Sequence, residues 1–214
     1  MRQRKVKNEE ERLAEHHQYL VRDPRSMKGK WQEVFDNNNG IYAELGCGKG
    51  KFIMTLAAQN PDRNYIGIEG RGSVILRALE KATQEGLKNI IFVKEYIRDV
   101  TECFEEGELS GIYLNFSDPW PKDRHAKRRL IHGRYLEGYR RVLKKGCCIE
   151  FKTDNQGLFS FAEEEFERSG MTILESTEDL HGTDLPAKHV TTEYEDKFRS
   201  TGIKINYCKV RCSE

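Results

Sequence analysis

Short apolar runs alternate with longer segments of helical period along almost the whole chain, and this alternation restricts the fold more than any other feature. Residues 41–45, 65–69, 89–93, 111–116 and 147–152 are compact apolar runs with the composition of strands. Residues 49–59, 73–84, 128–143 and 158–168 carry apolar side chains at helical spacing. Asn60-Pro61, Gly86 and Gly170 close three of these helices with residues suited to helix ends. Residues 171–175 and 203–210 read as late strands, and residues 9–20 as an amphipathic N-terminal stretch. Strands separated by helices make βαβ units, so the expected class is α/β, a mostly parallel central sheet with helices on both faces. No repeat, low-complexity tract or linker interrupts the pattern. Residues 1–214 are therefore expected to form a single domain, with a basic N-terminal arm over about residues 1–30. Ligands of such sheets sit at the carboxyl ends of the strands, near the point where strand order reverses. Chemistry is expected just after the apolar runs.

Charge divides the chain more sharply than its total of +1 suggests. Residues 121–145 hold ten basic side chains against Asp123 and Glu137, a net of +8, and residues 1–30 a net of +4. The rest of the chain is strongly acidic. Two basic zones on an acidic body suit contact with a polyanion on one face. No apolar run approaches the ~18 residues of a membrane span. The basic start leads into Asn8-Glu9-Glu10-Glu11 rather than an apolar stretch, so a secretory signal is not expected. A soluble, cytoplasmic protein is the expectation. The six cysteines form no C-x-x-C pair and complete no zinc pattern with the histidines, which suits free thiols and no metal.

After the first central strand comes Glu44-Leu45-Gly46-Cys47-Gly48-Lys49-Gly50, opening into a helix. Glycines permit a tight turn and the close approach of a ligand. The spacing G-x-G-x-G is neither the dinucleotide fingerprint nor a phosphate-binding loop. Glu44 precedes the turn, where it could engage an amino or cationic group. Glu69 closes the next strand, where a carboxylate accepts both hydroxyls of a ribose. An NAD site is the alternative, because Glu69 would serve either ribose. This arrangement resembles class I S-adenosylmethionine-dependent methyltransferases, in which the glycine turn faces the methionine part and the second acid holds the ribose.

The fourth strand leads into Asn115-Phe116-Ser117-Asp118-Pro119-Trp120-Pro121-Lys122. The prolines predict a stiff, extended loop. It presents a carboxylate beside an aromatic plane, which suits a flat nitrogenous base; stacking contributes ~1–3 kcal/mol per base. The +8 segment begins directly afterwards and would rim such a pocket with phosphate-binding groups.

The string N-F-S-D-P-W-P-K-x-R-H-x-K-R-R-L over residues 115–130 is similar to the signature of bacterial tRNA (guanine-N7)-methyltransferases. The likeness extends over nearly the whole chain. It takes in Met1-Arg2 with Arg4, Lys28-Gly29-Lys30-Trp31, the Glu44 turn, Tyr65-Ile66-Gly67-Ile68-Glu69, Phe151-Lys152-Thr153-Asp154-Asn155, and Thr192-Glu193-Tyr194-Glu195 with Lys197-Phe198. The resemblance implies a Rossmann-like fold and methyl transfer from S-adenosylmethionine to N7 of a guanosine in the tRNA variable loop. It further implies that Glu44, Gly46, Glu69 and Asp118 contact the cofactor, with Asp118 also catalytic. Lys122, Asp154, Thr192, Glu193, Tyr194 and Glu195 would face the substrate, and Arg124, His125, Lys127, Arg128 and Arg129 would contact RNA. Where the family usually has Asp or Asn near the adenine, this chain has Tyr96; either a stacked Tyr96 or the nearby Asp99 could fill that place. Lys5-Val6-Lys7 also departs from the family's usual Lys-Pro-Trp. Two other readings stay open: an RNA-binding relative without catalysis, and an NAD-dependent dehydrogenase. His125 and His132 are explained by the basic segment, and Trp31 and Tyr194 suit core packing equally well. Oligomeric state is left open.

Overall fold

The computed structural model describes residues 7–212. Its strands are β1 (Leu20–Val21), β2 (Gly40–Leu45), β3 (Arg63–Ile68), β4 (Ile90–Val93), β5 (Leu109–Asn115), β6 (Leu143–Thr153), β7 (Met171–Thr177) and β8 (Asn206–Cys212). Its α-helices are α1 (Glu9–Glu15), α2 (Trp31–Phe35), α3 (Lys51–Gln59), α4 (Gly72–Glu85), α5 (Gly133–Val142), α6 (Gln156–Arg168) and α7 (Glu193–Arg199). The strands form one sheet in the order β1-β4-β3-β2-β5-β6-β8-β7. Pairing is parallel from β1 to β6, and β8 runs antiparallel between β6 and β7. From β2 the chain steps outward through β3 to β4, then returns to β5 on the other side of β2. Strand order therefore reverses between β2 and β5, and their carboxyl ends open a crevice there.

Helices cover both faces, which is why β3 and β4 are buried almost throughout rather than alternating. One apolar cluster packs Trp31 and Phe35 of α2, with α5 and α6, against one face; the other packs α1, α3 and α4 against the opposite face. In α4 the residues Ile75, Ala78, Leu79 and Ala82 are buried along one stripe, and Gly86 at φ 65° ends the helix.

Local structure departs from the expected boundaries in several places. Within residues 9–20 the helix is Glu9–Glu15, and Leu20 and Val21 join the sheet edge opposite Phe92 and Val93. Residues 128–143 do not form one helix: Asp123–Arg128 is a 3-10 turn, and α5 starts after His132, whose side chain accepts from the Arg134 N–H. The last strand begins at Asn206 rather than residue 203. α2 and α7 are absent from the sequence reading.

Residues 1–6 of the proposed arm lie outside the described residues. The rest is stitched to the body: Arg12 pairs with Glu80, and Arg25 with Glu95 and Glu102, while Lys28 donates to the Thr101 carbonyl. No helix among the described residues is long and apolar enough to cross a membrane.

Candidate active site

A cavity of about 510 Å³ lies at the carboxyl ends of the central strands. That is ample for a nucleoside-sized ligand. Its walls come from the glycine turn after β2, from Glu69 after β3, from Tyr96 after β4, from Asp118 and Trp120 after β5, and from α7.

The turn after β2 is pinned to β3, because the N–H groups of Gly46 and Cys47 both donate to the Ile68 carbonyl, at 2.8 and 3.0 Å. Gly46 and Gly48 have φ of 86° and 59°, and a Cβ built on either meets nothing within 4 Å. Their open side is the cavity, so they leave room for a ligand against the backbone. Glu44 is buried at the end of β2. Its Oε1 accepts from Asn115 Nδ2 at 2.8 Å, while Oε2 is buried with no hydrogen-bond partner. Burial pushes the Glu44 carboxyl up to about 7. A cationic amino group delivered by a ligand would satisfy the orphaned oxygen and favour the ionised form. The residues present thus fit the methionine end of S-adenosylmethionine.

Glu69 is half-buried, and its Oε1 accepts from the Arg71 N–H at 2.8 Å. Tyr96 is 64% exposed and borders the cavity, its ring lying so close over Gly70 that a Cβ there would stand 2.3 Å from a ring carbon. Asp99 faces elsewhere: its Oδ1 accepts from the Thr101 N–H and hydroxyl, capping the 3-10 turn Val100–Glu102. Of the two candidates for the adenine side, Tyr96 is the one beside the cavity.

Asp118 is exposed on the cavity wall. Its loop is not simply extended, because Phe116 and Trp120 take φ of 50° and 42°. Left-handed backbone is uncommon for a bulky residue, and in Trp120 it precedes a proline. Arg129 holds it: Nε donates to the Pro119 carbonyl at 3.1 Å and Nη2 to the Trp120 carbonyl at 3.2 Å, with the guanidinium 4.3 Å from the Phe161 ring centroid. At 9% exposure Arg129 is buried, where the resemblance implied an RNA contact. Arg128 lies over the Trp120 ring at 4.8 Å, and the His125 ring meets Trp120 edge-on. Lys122, Arg124 and Lys127 are exposed at the rim, and Asp154 is exposed just past β6; none of these four lines the cavity.

Thr192, Glu193 and Tyr194 line the cavity. Glu195 does not. Thr192 and Glu195 form a capping box at the start of α7, and the Glu195 carboxylate is fully buried, 3.2 Å from Lys152 Nζ and 2.8 Å from His181 Nε2. Lys152 also donates to the carbonyls of Ala187 and Val190. Burial holds the pKa values of Lys152 and His181 below their usual values. On the outer side Glu193 pairs with Lys81 of α4, and Asp196 with Lys51 of α3. Tyr194 is 63% exposed and stacks near Phe116, which settles it as a surface aromatic, whereas Trp31 is core, donating to the Cys103 carbonyl. Sequence reasoning missed Phe116, Asn115 and Lys152 as parts of the site. Asn115 and Phe116 stood in the quoted loop, and Lys152 in the quoted Phe151–Asn155 block, without a role attached.

Strand order, glycine turn and the acid after β3 together define a class I methyltransferase of Rossmann-like fold. Solved structures agree on the fold: a 16S rRNA methyltransferase, KamB, superposes with a TM-score of 0.63 at 13% identity over 87% of this chain and 94% of its own. Over residues 38–208 the sequence matches a family described as a putative methyltransferase. A tRNA (guanine-N(7)-)-methyltransferase of Oceanobacillus iheyensis is 46% identical over 98% of both chains, and one of Clostridioides difficile 46% identical over 99% of both. The chain belongs to the tRNA (guanine-N7)-methyltransferase family.

Proposed function

We propose that this protein transfers the methyl group of S-adenosylmethionine to N7 of a variable-loop guanosine in tRNA, leaving 7-methylguanosine. The observation that carries the reading is one cavity lined by two unlike sets of groups. The partnerless Glu44 oxygen and open glycines form one set, and Asp118 with Trp120, followed in the chain by exposed Lys122, Arg124 and Lys127, forms the other. Glu44, Gly46, Glu69 and Asp118 hold the cofactor, with Tyr96 on its adenine side, and the cofactor supplies an electrophilic methyl group. Guanine N7 carries an exposed lone pair, so no strong base is required. Asp118 orients the base through its N–H edge, with Glu193 lining the same cavity. Both carboxylates stabilise the positive charge that develops on the imidazole ring. Lys122 and Asp154 meet the nucleotide at the rim, and Arg124, His125, Lys127 and Arg128 meet the phosphates. Glu195 serves by fixing α7. A tRNA substrate suits a cytoplasmic protein.

The test is unmodified tRNA incubated with protein and S-adenosylmethionine, digested and read by mass spectrometry for 7-methylguanosine. Product is expected, and none when the variable-loop guanosine is replaced. Cofactor binding without product on either tRNA would overturn the reading.

A further inference from the structure

The catalytic loop carries its two key groups, Asp118 and Trp120, on backbone that does not hold itself. Trp120 is left-handed at φ 42° and stands before Pro121. A residue in that conformation persists only when its surroundings over-determine it. The prolines cannot supply this, since a proline disfavours helical backbone in the residue before it rather than stabilising a positive φ. What the surroundings supply is Arg129. Its planar fork spans two consecutive carbonyls, those of Pro119 and Trp120, at 3.1 and 3.2 Å. Its flat face lies 4.3 Å from the Phe161 ring centroid on α6. The backbone just past it turns as well, with the Arg129 N–H on the Ala126 carbonyl and the His132 N–H on the Arg129 carbonyl. A guanidinium buried in this way offers little surface to a phosphate.

We infer that Arg129 is a positioning residue: it acts through the backbone of the Asp118–Trp120 loop, fixing the carboxylate and the indole at the base end of the cavity, and is not an RNA contact. The two arginines of the pair divide the work. Arg128 is exposed, borders the cavity and lies over the indole, whereas Arg129 is buried beneath the loop. A lysine at position 129 keeps the charge but cannot bridge two carbonyls with a planar fork. The chemical part of this inference rests on the methyl-transfer reading; the structural part does not.

The experiment compares wild type with Arg129→Lys, Phe161→Leu and Arg124→Gln in three readouts. The first is acrylamide quenching of tryptophan fluorescence. The protein has two tryptophans, and Trp31 is fully buried, so quenching reports Trp120. Arg129→Lys and Phe161→Leu are both expected to raise it, and Arg124→Gln to leave it unchanged. The second is the salt dependence of tRNA affinity. Arg124→Gln should lower the slope of log K against log[salt] by about 1, while Arg129→Gln, added to this arm, should leave it as in wild type. The third is steady-state methylation, in which Arg129→Lys should lower kcat by roughly 10–100-fold with KM for tRNA little changed, as expected when reacting groups are misplaced. Unchanged quenching in both loop variants, or a slope lowered by Arg129→Gln as much as by Arg124→Gln, would overturn the inference. Absence of methylation in wild type would defeat the proposed function alone, because quenching and salt slope still decide what Arg129 does.

Discussion

Glu44 shows at the scale of one residue how a binding site is built at the expense of the fold. Its carboxyl titrates near 7 because it is buried with one oxygen unpartnered. The unfolded chain ionises from about 4.5, so between these values the folded state holds the extra proton. Stability then falls as pH rises from 4.5 to 7 and is level above, a loss of about 3 kcal/mol from this group. Glu44→Gln keeps an acceptor for Asn115 and has no such loss. In urea unfolding its stability should exceed that of wild type at pH 8 and converge with it near pH 4.5, while S-adenosylmethionine binds the variant more weakly. Parallel curves would show that Glu44 is not the group. Asp118 differs in being exposed on the cavity wall, and in the proposed reading it orients the base. Asp118→Asn should lower kcat without introducing a new pH dependence. A rate recovering steeply at high pH would instead mark Asp118 as a base.

Among the elements, α7 shows best what sequence does and does not disclose. It is a seven-residue helix, too short to stand alone, and it is held from below by Lys152 and His181 and from the side by Lys51 and Lys81. Lys152→Met leaves Glu195 buried without its cation and should cost about 3–5 kcal/mol in urea unfolding. Adding Glu195→Leu should recover part of that; strict additivity would argue against the pair. The strands and the helices after β2 and β3 were legible because apolar period and glycine stops coincide there, as in the stripe of α4 ending at Gly86. Glu44, Glu69 and Asp118 were legible because each ends or follows a strand. α7 was not, although Thr192-x-x-Glu195 is the capping-box pattern itself; read as a substrate motif, it concealed a helix start. The helix expected from residue 128 failed for a related reason. Basic residues fit a helical face by spacing, but Arg129 is drawn under the loop, and the chain reaches His132 before α5 begins. Spacing cannot report a partner ten residues away in sequence that accepts through its backbone.

For the whole molecule, the +8 run proves to be two patches. Lys122, Arg124 and Lys127 stand at the cavity rim, whereas Arg140 and Arg141 lie in the last turn of α5, and Lys144 and Lys145 just past it at the start of β6. Ten helical residues separate them by about 15 Å, more than a Debye length in physiological salt. Lys127→Gln should therefore lower the salt slope of tRNA binding by about 1, and Lys144→Gln with Lys145→Gln should change it far less. An equal effect from both would mean that RNA wraps the length of α5. The sheet itself has a temporal consequence. β8 follows β7 in the chain yet lies between β6 and β7. As the polypeptide emerges during translation, β7 comes out before the one strand it pairs with, and α7 before the sheet beneath it is closed. Lys51 must also wait for Asp196, 145 residues later. Contacts so distant in sequence form slowly. A nascent chain halted short of Asn206 carries every side chain that lines the cavity but not the strand that closes the sheet behind them, so competence for methyl transfer arrives late.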